Sequence, residues 1–271
     1  MSTRPSRDHK AIVREEFTRQ ADAYAAAAVI TSEERLARLV GAIRPARDAR
    51  ALEVATGPGY VAMALAAQCG EVIGIDLTDA PLRIAERLRN ERGLTNVRFE
   101  PGDAENLPAG EFDIVVCRFA FHHFEHPTRV FAQMCRVCRS GGTVVVEDLY
   151  ASEEPGRAVY WNAIERLRDH SHTRALALGE LVAMYADARI EIERLYSDEI
   201  AADAEAWLAS AQTGADDARE VRALLMRDMN EDLSGIRPFE RGGRLHFTQR
   251  TVAIVGRKLA RQPDSYPTST R

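Results

Sequence analysis

Short apolar runs alternate with helix-like stretches between residues 51 and 150, and this alternation limits the fold more than any other feature. The apolar runs begin at Ala51–Ala55 and include "EVIGID", "NVRFEPGD", "FDIVVCR" and "TVVVEDLY". Strands that alternate with helices form a parallel sheet with crossover helices on its faces. The sequence therefore predicts an α/β fold with a doubly wound, mostly parallel sheet.

The segments outside this alternation predict additions to the sheet. Residues 1–50 are typical of a helical lead with two helices, and residues 51–260 form the main domain. Helical insertions are expected at about 151–188 and 201–243, and a last strand, "RLHFTQRTVAIVGRK", follows them. The polar segment 261–271 is expected to be a disordered tail.

Charge and hydropathy exclude two broad classes of partner. The formal net charge is −5, and the arginines alternate with acids without forming a basic block, so no nucleic-acid partner is expected. No apolar run approaches the roughly 20 residues that a membrane span needs. The N-terminus is polar and lacks a signal-peptide core. We expect a cytoplasmic protein, either a monomer or a homodimer.

The cysteine content does not predict a disulfide framework or a metal site. Cys135 and Cys138 form a single C-x-x-C motif, and no second pair of ligands is spaced to complete a zinc site. We expect both thiols to pack on or beside an amphipathic helix, residues 128–139, which the Gly141–Gly142 pair would end.

A glycine loop follows the first strand, in the stretch "LEVATGPGYVA". Gly57 to Ala62 fits G-x-G-x-x-A, and Asp76 ends the next strand, so one interpretation is a dinucleotide site of an NAD-dependent oxidoreductase. Pro58 has no N–H to offer a phosphate, and the Glu53 carboxylate at the strand end would repel a diphosphate.

A cofactor that carries a cation reverses that argument. S-adenosylmethionine has an ammonium group, a sulfonium and a ribose with two hydroxyls. Glu53 can favour the ammonium, Asp76 can accept both ribose hydroxyls, and the glycines let the backbone approach closely.

An ordered set of motifs over residues 50–150 resembles the class I S-adenosylmethionine-dependent methyltransferases. "EVATGPG" is similar to their first motif, D/E-x-G-x-G-x-G, with Ala55 at the first glycine. "GIDLT", "GDAENLP", "FDIVVCRFAFHHFEHP" and "MCRVCRSGGTVVVEDL" resemble the later motifs in order. The lead "EEFTRQADAY" is similar to that of the ubiquinone- and menaquinone-biosynthesis-like (methyltransferase type 11) subgroup. The resemblance implies a seven-stranded, Rossmann-like methyltransferase fold with helical caps, and S-adenosylmethionine as cofactor.

The same resemblance implies which residues hold the cofactor. Asp103 would accept the adenine amino group, the Ala104 backbone would meet a ring nitrogen, and the backbone of Arg118 and Phe119 would meet the methionine end. The full set of expected cofactor-binding residues is Glu53, Ala55, Gly57, Gly59, Asp76, Leu77, Asp103, Ala104, Arg118 and Phe119, with Phe17 and Tyr24 from the lead.

Two histidines after the fourth strand are the candidate catalytic residues. Methyl transfer is an in-line displacement that needs a base only where the acceptor loses a proton, and His123 or His122 could supply one near neutral pH. Either ring could instead order the start of the next helix. Adjacent histidines cannot easily share one ion, so no metal site is predicted.

The acceptor itself is predicted only by class. Asp148 near the end of the fifth strand, and His172 and Arg174 in "RDHSHTRALALGEL", are candidate substrate-binding residues; helix capping is the alternative for each group. The resemblance implies methyl transfer to a small molecule that is quinone-like, heterocyclic or another metabolite. The alternatives are an NAD-dependent oxidoreductase and a protein that binds the cofactor without transferring methyl.

Overall fold

The computed structural model describes residues 8–260, so the expected tail at 261–271 and the first part of the lead lie outside the described residues. A nine-stranded sheet forms its centre. The strands are β1 Arg50–Val54, β2 Glu71–Asp76, β3 Val97–Pro101, β4 Phe112–Arg118, β5 Cys138–Ala151, β6 Leu176–Ala177, β7 Ile190–Asp203, β8 Phe239–Arg241 and β9 Arg244–Lys258.

Strand order places a topological switch at the centre of this sheet. The main path runs β3-β2-β1-β4-β5-β9-β7, with β6 beside β5 and β8 beside β9. The first five strands pair in parallel, and β9 is antiparallel to both β5 and β7. The chain winds outward from β1 to β3 and returns on the other side at β4. Ligands of open α/β sheets bind at such a reversal, beyond the carboxyl ends of the strands.

Helices cover both faces of the sheet, and the helices of the lead, α1 to α4, form a layer that is called the roof below. They are α1 His9–Arg19, α2 Ala21–Ala25, α3 Ala28–Thr31, α4 Glu33–Ile43, α5 Tyr60–Ala66, α6 Asp79–Glu91, a 3₁₀ turn Phe121–His123, α7 Pro127–Val137, α8 Pro155–Arg168, α9 Leu178–Asp187, α10 Ala204–Ser210 and α11 Ala215–Glu231. Successive side chains of β1 point to opposite faces of the sheet, so each face packs against its own helices. Leu52 and Val54 pack against α7 and α9 on one face, whereas Ala51 packs against α4 and α5 on the other.

A helical cap forms beyond the sheet. Trp161 of α8 stacks on Trp207 of α10 with ring centroids 5.7 Å apart, and Phe247 of β9 completes this aromatic group. Leu225 of α11 is fully buried in the same cluster. The insertions therefore fold as one apolar layer. No helix within residues 8–260 is long and apolar enough to cross a membrane.

The structure confirms the predicted fold class and corrects three details. The sheet has nine strands, because two short strands, β6 and β8, join the seven of the main path. The lead contains four helices, since α2 and α3 are single short turns before α4. The helix that was expected to run to Arg139 ends at Val137, and residues 139–142 bulge from the pairing of β5 with β4. Gly141 has φ +74°, and a Cβ at Gly142 would lie 2.6 Å from Cys138 Sγ, so this pair belongs to a bulge.

Candidate functional site

Three adjoining cavities open at the carboxyl ends of β1, β2 and β4. The first cavity, about 780 Å³, lies beside the strand ends and has Ala55, Gly57, Asp76, Leu77, Asp103 and Ala104 in its wall. The small hollow, about 300 Å³, holds Glu53 and the glycine loop. The second cavity, about 560 Å³, lies under the cap. Phe119 and Tyr24 line all three, so the cavities meet around these two rings.

The glycine loop turns through a left-handed backbone that brings it close to neighbouring groups. Ala55, Gly57 and Gly59 have φ of 55°, 52° and 79°. A Cβ on Gly59 would lie 2.5 Å from Cζ of Phe99, so only glycine fits there. Ala55 adopts the left-handed backbone conformation, which costs glycine the least energy of all residues. This explains why the methyltransferase motif that the loop resembles has glycine at this position.

The Glu53 carboxylate is buried at the base of the small hollow. Its Oε2 accepts hydrogen bonds from Thr56 Oγ1 at 2.5 Å and from the Ala62 N–H at 2.8 Å. Burial raises the pKa of Glu53 to about 7, against the lowering effect of these two donors. Oε1 has no hydrogen-bond partner among residues 8–260, so half of the carboxylate is free to meet a cation in the hollow.

Asp76 closes β2 and faces the first cavity. Its Oδ2 accepts from the Gly57 N–H at 2.8 Å and its Oδ1 from the Thr78 N–H at 2.9 Å. Burial raises the pKa of Asp76 to about 6. The carboxylate is therefore held at the switch point by backbone N–H groups, and it keeps acceptor capacity for a further donor.

Asp103 carries a partner that no sequence motif indicated. Lys10 of α1 donates to Asp103 Oδ2 at 2.8 Å and also lies 3.5 Å from Glu105. Although burial works to raise the pKa of Asp103, the hydrogen bond and charge of Lys10 lower it. Lys10 thus ties the roof helix to the far wall of the first cavity.

The roof is fastened over the cavities by aromatic and polar contacts. The Phe17 ring meets the rings of Tyr24 and His123 edge-on, with centroids 5.6 and 5.0 Å away. His9 Nε2 lies 2.8 Å from the carbonyl oxygen of His123. The lead therefore brings Phe17 and Tyr24 to the cavities, and their expected contact with the cofactor stays a prediction.

Arg118 ends β4 and anchors the roof rather than facing a cavity with a free charge. Its guanidinium donates to Glu147 at 3.2 Å and to the carbonyls of Ile30 and Val29 at 3.2 and 3.0 Å. Phe119 follows with φ 52°, and its N–H donates to the Glu147 carbonyl at 2.7 Å. This turn swings the Phe119 ring to where the three cavities meet.

His122 and Asp148 form a buried pair beside the second cavity. His122 Nδ1 lies 2.5 Å from Asp148 Oδ1, and the His122 backbone N–H donates to Oδ2 at 3.2 Å. Burial works to lower the pKa of His122, but the charge and hydrogen bond of Asp148 raise it above its usual value. The expectation that Asp148 contacts the acceptor is corrected: β5 continues to Ala151, so this carboxylate is buried and reaches only the histidine and the Leu149 N–H.

His123 lines both the first and the second cavity. Its Nδ1 lies 3.1 Å from both the carbonyl oxygen and the hydroxyl of Ser171. Burial, together with the neighbouring His122, lowers the pKa of His123 to about 3. The ring is therefore neutral at pH 7, but so low a pKa makes it a weak proton acceptor, and its role as the base stays a prediction.

The structure does not bring His172 or Arg174 to a cavity wall of the site. His172 is buried and its Nε2 contacts Asn162 Oδ1 at 2.8 Å. Arg174 is exposed and makes two hydrogen bonds to Glu180 at 2.8 and 2.7 Å, in a separate surface groove. The structure does not support acceptor contacts for either residue, because the His172 ring is buried against α8 and the exposed Arg174 side chain is paired with Glu180.

The second cavity draws most of its wall from residues that sequence reasoning missed. Besides the two histidines, its polar groups come from the lead, from α8 and the turn after it, from α10 and from β9: Gln20, Arg168, Asp169, Ser210 and Gln249. Trp207 was noted as a possible stacking group, and its Nε1 is buried without a hydrogen-bond partner. Gln20 lies in the lead motif and Arg168 and Asp169 in the stretch before α9, but nothing in either stretch indicates that these side chains face a cavity.

Metal ligation finds no support in the part of the chain that the structure describes. No group of three or more His, Cys, Asp or Glu side chains there is placed to hold an ion. Cys135 and Cys138 are both buried free thiols.

Comparisons with known proteins agree with this geometry. A family model described as a methyltransferase domain matches residues 52–146. The chain is 29% identical to the uncharacterized methyltransferase YcgJ of Bacillus subtilis (strain 168), over 89% of this chain and 97% of that protein. It is 30% identical to the ubiquinone biosynthesis O-methyltransferase of Thiobacillus denitrificans, over 58% of this chain and 71% of that enzyme.

A solved structure extends the likeness to the whole fold. A Bacillus halodurans C-125 protein (BH2331), described as a candidate methyltransferase, superposes with a TM-score of 0.79 at 29% identity. It covers 84% of this chain and 100% of its own. The motif order, the site at the switch point and these relatives agree: the chain belongs to the class I S-adenosylmethionine-dependent methyltransferases.

Proposed function

We propose that this methyltransferase binds S-adenosylmethionine across the first cavity and the small hollow, and methylates a small molecule held in the second cavity. The observation that carries the proposal is the meeting of the three cavities at Phe119 and Tyr24. A cofactor in the first cavity and an acceptor in the second would both contact these two rings and so lie close to each other.

The residues present fit the cofactor. Glu53 offers a free carboxylate oxygen to an ammonium group, Asp76 offers one to ribose hydroxyls, and Gly59 keeps the loop close because a Cβ has no room. Asp103 and the Ala104 backbone would hold the adenine, and Leu77 supplies apolar wall. When bound, the cofactor supplies an electrophilic methyl group on a sulfonium.

The chain's own work is to align the acceptor and exclude water. Phe17 and Tyr24 cover the junction from above, and Phe119 lies at its side. In-line displacement gains most from such positioning. Apolar walls of the second cavity favour an acceptor that is quinone-like, heterocyclic or another small, largely uncharged metabolite.

Titration calorimetry with S-adenosylmethionine and S-adenosylhomocysteine tests this assignment. We expect micromolar-range binding of both, and Asp76→Ala should weaken it at least about tenfold because charge-assisted hydrogen bonds are lost. Asp79→Ala, at an exposed position in the first turn of α6, is the matched control and should bind normally. Failure of the folded wild-type protein to bind either compound would overturn the proposal.

Several expectations about the whole protein stay predictions. They are the domain boundaries near residues 50 and 260, the cytoplasmic location, the lack of a nucleic-acid partner and the monomeric or homodimeric state.

A further inference from the structure

The second cavity contains a glutamine whose amide has no partner within the described part of the chain. Gln249 of β9 is only 9% exposed, and its carboxamide makes no hydrogen bond to any of residues 8–260. Gln249 lies on the same side of the strand as Phe247, two residues earlier, which is fully buried under the cap. Because a buried amide without a partner is costly, its place in a cavity wall points to a ligand that satisfies it.

Two of the charged groups in this wall are already paired. Arg168 of α8 donates to the Ser210 hydroxyl at 3.0 Å and lies 3.5 Å from the Glu165 carboxylate. The His122 ring contacts Asp148 Oδ1 at 2.5 Å. Neither the guanidinium nor the imidazole is therefore free to neutralise an anionic acceptor.

Asp169 is paired as well, and its contacts fix the orientation of a second carboxamide. Its Oδ1 accepts from the Ser171 hydroxyl at 2.5 Å and from the Ser171 N–H at 2.9 Å, and its Oδ2 accepts from Gln20 Nε2 at 3.0 Å. A carboxylate only accepts, so the NH2 group of Gln20 must face Asp169. Gln20 can thus offer the cavity only its oxygen, whereas Gln249 keeps both halves of its amide free.

These contacts favour a neutral acceptor over a charged one. A charged molecule would find no unpaired counter-charge in the wall, and burial of a charge without one is strongly unfavourable. A carboxamide or lactam instead offers a donor and an acceptor side by side, which match the two halves of the Gln249 amide. A ketone can use only the N–H half and would leave the Gln249 oxygen without a partner.

Gln249 lies away from the junction where methyl transfer is expected. Tyr24 and Phe119 line all three cavities and His123 lines the first and the second, whereas Gln249 lines only the second of the three. A molecule that extends from Gln249 to the junction would therefore present its reacting atom at one end and its neutral polar group at the other.

We propose that Gln249 is a specificity-determining residue, which selects a neutral acceptor with a carboxamide or lactam group at the end remote from the transferred methyl. This inference rests on the proposed function, because it takes the second cavity as the acceptor site. The carbonyl of the acceptor accepts from the Gln249 NH2 group, and the N–H of the acceptor donates to Gln249 Oε1. The apolar walls, including Val29, Ile30 and Leu149, cover the rest of the molecule.

Ligand-observed NMR with four benzene derivatives of similar shape tests this selection. Benzamide carries both a donor and an acceptor, acetophenone only an acceptor, benzoate a negative charge and benzamidinium a positive charge. Each probe is added at pH 7 to protein saturated with S-adenosylhomocysteine, so that the first cavity is filled. We expect benzamide to bind at least about tenfold more tightly than each of the other three.

Two substitutions of Gln249 have different expected results. Gln249→Met, similar in size but without hydrogen-bonding groups, should bind benzamide and acetophenone with affinities within about twofold of each other. Gln249→Glu should instead prefer benzamidinium, because a carboxylate only accepts and attracts a cation. Gln68→Met, at an exposed position after α5, is the matched control and should keep the wild-type order. Thermal melting curves check that each variant is folded, and either Gln249 variant alone is a sufficient test.

The outcomes separate this inference from the proposed function. If S-adenosylhomocysteine does not bind, the proposed function fails, whatever the probes do. If it binds but benzamide binds no more tightly than the other probes, or no probe binds, the inference is overturned. A preference for benzamide that persists in Gln249→Met overturns the role of that residue.

Discussion

Cofactor binding should release protons from Glu53, and the structure allows the size of the effect to be worked out. The pKa of Glu53 is about 7 in the protein without ligand. About a tenth of this carboxyl is therefore ionised at pH 6 and about half at pH 7. Because only the carboxylate attracts an ammonium group, affinity should rise about fivefold over this interval.

Asp76 adds a smaller contribution that the Glu53 variant leaves in place. Its pKa of about 6 means that ionisation rises from about half to nine-tenths between pH 6 and pH 7, which is about twofold in affinity. Wild type should thus gain about tenfold in affinity and Glu53→Gln only about twofold. At pH 7 the variant should also bind about 10- to 100-fold more weakly, since a hydrogen bond to a charged group is lost.

Calorimetry in phosphate and in Tris buffer measures both quantities. The difference in binding enthalpy between the two buffers reports released protons, and we expect about half a proton from Glu53 at pH 7. Glu111→Gln, an exposed position before β4, is the matched control and should behave as wild type. Equal pH slopes in wild type and Glu53→Gln, or proton release that persists in the variant, would refute the reasoning.

The remaining predictions concern stability and the acceptor side. In urea titrations, Gly59→Ala should lower the free energy of unfolding by about 2–4 kcal/mol, because the residue has φ 79° and its new Cβ would meet the Phe99 ring. Gly93→Ala is the control: its φ is 64° and nothing lies within 4 Å of the new Cβ, so the loss should be about 1–2 kcal/mol. Without cofactor, Glu53→Gln should gain up to about 3 kcal/mol over wild type at pH 8 but not at pH 4, because a raised carboxyl pKa destabilises the fold as pH rises through about 7. Arg174→Ala should leave turnover within about twofold in steady-state assays, since an exposed ion pair contributes under about 1 kcal/mol.

The local sequence pattern was sufficient to predict the bounds of three strands. The predicted segments for β2, β4 and β9 coincide with the observed ones, because each is a β-rich run bounded by turn residues or charges. The helix expected at 128–139 ended early, since the deciding feature is the pairing of Cys138 with Phe112 across the sheet. A long-range contact of this kind leaves no mark in the window around "CRSGG".

The cofactor side of the site was predictable for the same reason: its residues lie just after strand ends, in motifs that hold the backbone in place. Lys10 was missed because its partner Asp103 is 93 residues away, and nothing near Lys10 marks it as part of a cavity. The rest of the acceptor side has no such motif, since α8, α10 and β9 contribute only one or two side chains each to the second cavity.

The histidine pair shows that a sequence motif can locate candidate catalytic residues but cannot say which of them acts. Side by side in "FHHF", the two rings are indistinguishable, and what separates them comes from other elements. Asp148, 26 residues on, holds one ring where it can take a charge, and Ser171, 48 residues on, holds the other where burial keeps it neutral. Because a base must be neutral before it accepts a proton and its pKa is set by its surroundings, the partners rather than the histidines decide which ring can act. The choice between His122 and His123 is therefore a property of the fold, and substitutions of Asp148 test it more directly than substitutions of the rings themselves.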